Sequence, residues 1–144
     1  MPRRSDAPKP PFAASFIRGV EHFNALQFWE AHEAWEELWL AAESDVVEFL
    51  QGLIQLAAAY HHVRRGTLRG AVRLFDAALE RLEPFPDGFC NLNRAVAAEA
   101  ARRHRQQCEA QLQSGDSGGP ARFAYPLLEL LSTVDAFTPP RDPW

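Results

Sequence analysis

Lysine is almost missing from this chain. Of the 15 basic side chains in 144 residues, 14 are arginine and Lys9 is the one lysine. Acidic residues still outnumber basic ones, giving a formal net charge of −4 and a pI near 5.7. That balance sets up no global positive field, so neither a nucleic acid nor an anionic membrane surface is an expected partner. Cysteine is scarce too. Cys90 and Cys108 stand far apart, and neither has a Cys or His at zinc-finger spacing. They read as two reduced thiols, which suits a cytosolic protein. Long apolar runs are absent: the longest, LIQLAAAY, falls well below the ~20 residues that span a bilayer, and the basic start carries no signal-peptide core. Gly-rich phosphate loops and nucleophile elbows are also missing. A soluble, cytoplasmic protein is the expectation.

What is present is helical periodicity over a length suited to one domain, with 47% hydrophobic residues to supply a core. Residues 1–11 hold four prolines and three basic side chains and read as a disordered leader. A helical domain is expected over 12–113, as five main helices. The first covers 12–24 and the second 26–42. The third is capped by Ser44-Asp45 and ends at Gly66. The fourth is capped by Thr67 and runs to Leu82, and the fifth opens near Asn91 and lasts to Gln113. Residues 114–144 read as a flexible linker (SGDSGGP), a short helix opened by Tyr125-Pro126-Leu127, and a proline-rich tail. No segment alternates as a strand would. FNALQFWEAHEAWEELW and RRGTLRGAVRLFDAALERL echo each other loosely, which favours antiparallel helical hairpins over a repeat array. The expected class is all-α, a compact helical bundle.

The densest chemistry lies in EAHEAWEELW, residues 30–39. On a helix, Phe28, Ala31, Trp35, Leu38 and Trp39 share an apolar face, beside a stripe of Trp29, His32, Glu36 and Trp39. Glu30, Glu33 and Glu37 form a second stripe on the far side. The tryptophans of this helix read as core. The third helix is apolar nearly all round. His61 follows Leu50, Ile54 and Ala57 at helical spacing, so it is expected to point inward. Gln51, Gln55, Ala58 and His62 make a narrow polar stripe.

These positions suggest a polar pocket between helices two and three, lined by His32, Glu33, Glu36, Gln55 and His61. Two histidines with carboxylates suit a divalent metal, or an acid/base pair with shifted pKa values. They equally suit a hydrogen-bonded network that fixes helix packing. The His-Glu-x-x-Glu pattern is a poor zincin, because a glutamate stands where the second metal-binding histidine would be. In helix five, Arg102-Arg103-His104-Arg105 reads as a solvated face.

Phe23-Asn24, Phe28-Trp29-Glu30-Ala31-His32-Glu33, Glu36, Trp39, Leu50-Gln51-Gly52-Leu53-Ile54-Gln55, His61, and Gly66 with Gly70-Ala71 resemble the prokaryotic family catalogued as domain of unknown function 309. The resemblance covers about residues 16–82 and implies a compact all-α fold, with Glu30, His32, Glu33, Glu36 and His61 as its polar signature. Thr67 stands where the family often has Asn. Two functional expectations follow. One is a binding or interaction module with a polar inter-helix site at Glu30, His32, Glu33, Glu36, Gln55 and His61. The other is a metal-dependent hydrolase using His32, Glu36 and His61. A homodimer is expected from apolar surface at the leader, Trp144 and the segment Phe123 to Leu131.

Overall fold

The computed structural model describes residues 12–43, 45–115 and 124–131. In α1 (Phe12–Asn24), Phe12, Phe16, Val20 and Phe23 recur at helical spacing and are all buried. Gly19 sits in the same stripe because Trp35 of α2 (Phe28–Ala41) lies against it: a Cβ there would fall 2.1 Å from the indole nitrogen. That indole is fully buried, and its Nε1–H donates to the Phe16 carbonyl at 3.2 Å.

The α1–α2 turn closes with the hydrogen bonds of a Schellman motif. The Gln27 amide donates to the His22 carbonyl at 2.8 Å and the Leu26 amide to Phe23 at 3.0 Å. The motif needs a left-handed residue, and here it is Leu26 at φ 62° rather than a glycine. A side chain in that region costs on the order of 1 kcal/mol. The same motif ends α3 (Asp45–Arg65), with Gly66 at φ 80° carrying it without strain.

α3 is the central helix. Phe49, Leu50, Leu53, Ala57, Tyr60 and Val63 are fully covered, because α2 packs on one side of it and α4 (Leu68–Leu82) on the other. Tyr60 is the hub, with the rings of Phe23, Phe28 and Phe75 at 5.7, 5.5 and 4.9 Å. Thr67 precedes α4 as expected but makes no side-chain cap. Its hydroxyl instead donates back to the His62 carbonyl at 3.2 Å.

A proline-bounded turn and one 3₁₀ turn at Phe89–Asn91 lead to α5 (Arg94–Gln113), which packs on α4. Asn93 stands at the cap position, yet Asp87 supplies the acceptor, its Oδ1 taking the Ala95 amide at 3.1 Å. Helices therefore begin up to three residues later than the periodicity suggested.

The expected short helix at Tyr125-Pro126-Leu127 is not one. Residues 124–131 form an extended strap, joined to the body by the antiparallel bridge Leu92↔Leu130. Asn24 clamps it on one side: its amide donates to the Leu128 carbonyl at 2.9 Å and its Oδ1 accepts the Leu128 amide at 2.8 Å. Asn93 clamps it on the other, exchanging backbone and side-chain bonds with Glu129 at 3.0 and 2.8 Å. Leu128 is buried, while Leu127 and Leu131 remain exposed, so the described part of this segment is spare apolar surface only in part. The leader, Ser44, most of the linker and the tail lie outside the described residues.

Candidate functional site

The expected inter-helix pocket opens instead into a surface cluster. On α2, Trp29 is 50% exposed rather than core. Its ring stacks on the His32 imidazole, centroids 4.9 Å apart and 12° from parallel, and meets His61 of α3 at 5.7 Å. His32 in turn lies 3.6 Å from the Glu36 carboxylate one turn on. Its Nδ1 is covered and has no hydrogen-bond partner among the described residues.

His61 is half-buried, not a core histidine. It sits one turn before the end of α3, with Trp29 of the first turn of α2 against it. Partial burial, then Arg65 and His62, push its pKa down, while Glu30 pulls it back up. The imidazole is therefore neutral at neutral pH, with one donor and one acceptor.

Beside this cluster lies an open cleft of about 390 Å³, lined by Leu26, Gln27, Trp29, Glu30, His61, Arg64 and Arg65. The Arg64 guanidinium donates to the carbonyl of strained Leu26 at 2.7 Å and ties the α1–α2 turn to the end of α3. At the start of α2 no side chain caps the free amides, since Gln27 turns its Oε1 to His22 at 2.8 Å instead.

Residues 16–74 match the model of a family described as Domain of unknown function (DUF309). That segment is similar to DUF309. It takes in most of α1, all of α2 and α3, and the first half of α4, ending short of the expected residue 82. Every residue of the resemblance's polar signature lies inside the DUF309 segment, as does the whole cleft. Neither a curated protein nor a solved structure matches the chain.

Within the DUF309 segment the structure brings Trp29, Glu30, His32, Glu36 and His61 to one side of the bundle. Glu33 is exposed and has no ion-pair partner among the described residues. Gln55 is elsewhere: it lines a second groove of about 510 Å³ between α3 and α4, with Asp45, Glu48, Glu80 and Arg81. Among the described residues, no group of three His, Cys, Asp or Glu side chains lies close enough to hold a metal ion.

The buried histidine is His104, outside the DUF309 segment and within the run read as solvated. It is 5% exposed, and its Nδ1 is hydrogen-bonded to the Tyr60 hydroxyl at 2.7 Å. The Ala124 backbone of the strap is a further hydrogen-bond partner, yet desolvation, aided by Arg103, still drops its pKa to about 4. Burial also raises the Cys108 thiol to about 11, which leaves it unreactive. The sequence did carry the signal. Ala97, Ala101, His104 and Cys108 follow at spacings of four, three and four, the inward stripe of α5. Trp29 was legible in the same way, since it falls about 100° round the helix from Phe28 and away from Ala31, Trp35 and Leu38.

Proposed function

We propose that this protein is a binding module whose contact surface is the cleft at the α1–α2 turn, with Trp29 at its centre. The observation that carries the reading is the half-exposed indole in ring contact with two imidazoles. A large aromatic left in water yet fixed in position offers much contact area at little entropic cost. Two further features support it. Leu26 keeps a strained conformation at the rim, where a glycine would relieve it, and strain of that kind gathers at working surfaces. The arginines beside it supply polar contacts at the edge of the indole.

The metal-dependent hydrolase reading on His32, Glu36 and His61 has less in its favour. The first two are paired, but no third carboxylate or imidazole converges with them among the described residues.

A fragment screen followed by nitrogen-15 amide spectra tests the binding reading. Hits are expected to shift the Trp29 indole together with the Gln27, Glu30, Arg64 and Arg65 amides, and to be lost in Trp29→Ala. Hits that collect in the α3–α4 groove and ignore Trp29→Ala would overturn it.

A further inference from the structure

Charge in this chain is segregated. Residues 19–63 contain eight carboxylates and no lysine or arginine, so all 15 basic side chains lie outside that stretch. The solvent face of α2 is where the segregation becomes a surface. Trp29 and Leu40, 50% and 55% exposed, stand at its two ends. Eleven residues separate them, which is about 16 Å along the axis and only about 20° around it, so they lie on one line. Between them come Glu33 and Glu36, with Glu37 alongside, all exposed. Glu36 has only the 3.6 Å contact with His32, while Glu33 and Glu37 have no ion pair among the described residues. α2 packs chiefly on α1 and α3, which leaves this face open.

A row of glutamates alone is an ordinary solvated helix face, and single exposed apolar side chains are ordinary too. The combination is not ordinary. Two of the five large hydrophobics exposed among the described residues sit in line on one face, with exposed carboxylates between them. We propose that this face of α2 docks a basic amphipathic helix of another protein. Such a helix would seat apolar side chains on Trp29 and Leu40 and aim lysines or arginines at the central glutamates.

The fit follows from geometry. A straight stripe on a rigid helix is matched by a second helix crossing at a shallow angle, with anchors about three turns apart. Burying the indole and the leucine supplies affinity, and the carboxylates supply orientation and a fast, salt-dependent approach. Nucleic acids and anionic lipid are repelled by the same charges. The proposal rests on Trp29 being a contact residue and gives that residue a partner.

The test uses fluorescence anisotropy with a synthetic Leu/Lys amphipathic helix, the same composition scrambled, and a Leu/Glu counterpart, each against the full chain. The Leu/Lys helix is expected to bind and the other two to bind at least about tenfold more weakly. Trp29→Ala and Leu40→Ala should each weaken binding by about tenfold. Glu33→Gln with Glu36→Gln should flatten the salt dependence, and Val96→Ala, an exposed residue of α5, should change nothing. Equal binding of the scrambled peptide, or indifference to Leu40→Ala, overturns the proposal. So does a sedimentation mass that rises with concentration and reverts in Leu40→Ala, because the face would then serve a second copy. If the peptide fails while fragments still perturb the cleft, the partner is wrong and the binding reading stands. If Trp29→Ala alters neither, both fall.

Discussion

The side chain with most to lose is Tyr60. Its hydroxyl is buried and its ordinary pKa is raised by that burial, and it is hydrogen-bonded to the His104 Nδ1 at 2.7 Å. Tyr60→Phe takes that hydrogen bond from a covered imidazole nitrogen, so a loss of about 1–3 kcal/mol is expected in urea melts. His61→Ala, at the half-exposed cluster, should cost less than about 1 kcal/mol, and Glu37→Ala less than about 0.5 kcal/mol. The sequence assigns those roles the other way, His61 inside by helical spacing and His104 in solvent as part of the charged run 102–105. Periodicity fixes a direction around a helix but not how much protein stands opposite. His104 also carries a pH dependence. Its folded pKa is about 4, below the unfolded value of about 6.5. The unfolded state therefore binds more protons between those values. Stability should be full above about pH 6.5 and fall as pH drops towards 4, by up to roughly 3 kcal/mol. Chemical denaturation across that range should show the slope, and His104→Gln should flatten it.

At the scale of elements, the five helices were legible because apolar residues recur along each of them, and Gly66 and Pro84 mark two ends. The strap was not legible. Tyr125-Pro126-Leu127 satisfies the rules for a helix start, but Pro126 is equally at home in an extended chain. What decides the outcome is a pair of asparagines, one of them 104 residues away in sequence, and no local pattern reports that. The candidate site was half legible. Its polar residues were found and the angle of Trp29 around α2 pointed outward, but the arginines of the cleft were not legible, because a cleft is a property of two elements meeting. α1 meets α2 closely at Gly19. Gly19→Ala would drive a methyl into the Trp35 indole and disturb its bond to Phe16. Overpacking of this kind should cost about 1–3 kcal/mol. Tryptophan fluorescence shifted to longer wavelength, together with a lower melting temperature, would register it. An unchanged melt would mean that α1 slides freely on α2.

For the whole molecule, the DUF309 segment is not expected to fold as a unit by itself. Its match ends at Leu74, one residue before Phe75, whose ring is 4.9 Å from Tyr60. Phe75, Ala78 and Leu82 are the buried face of α4. A fragment covering 16–74 should therefore melt without a cooperative transition, while a chain carried through residue 131 should show one by circular dichroism. The strap has a consequence in time as well as in space. α1, α2, α3, α4 and α5 pack chiefly on their neighbours in sequence, so the bundle can close by short loops and should form quickly. The Asn24–Leu128 clamp spans almost the whole described chain, and the entropy of that large loop is lost only once both of its ends are in place. It should be among the last contacts made and the first released. Asn24→Ala is then expected to speed unfolding while leaving the refolding rate nearly unchanged, so that the strap acts as a latch on the lifetime of the native state.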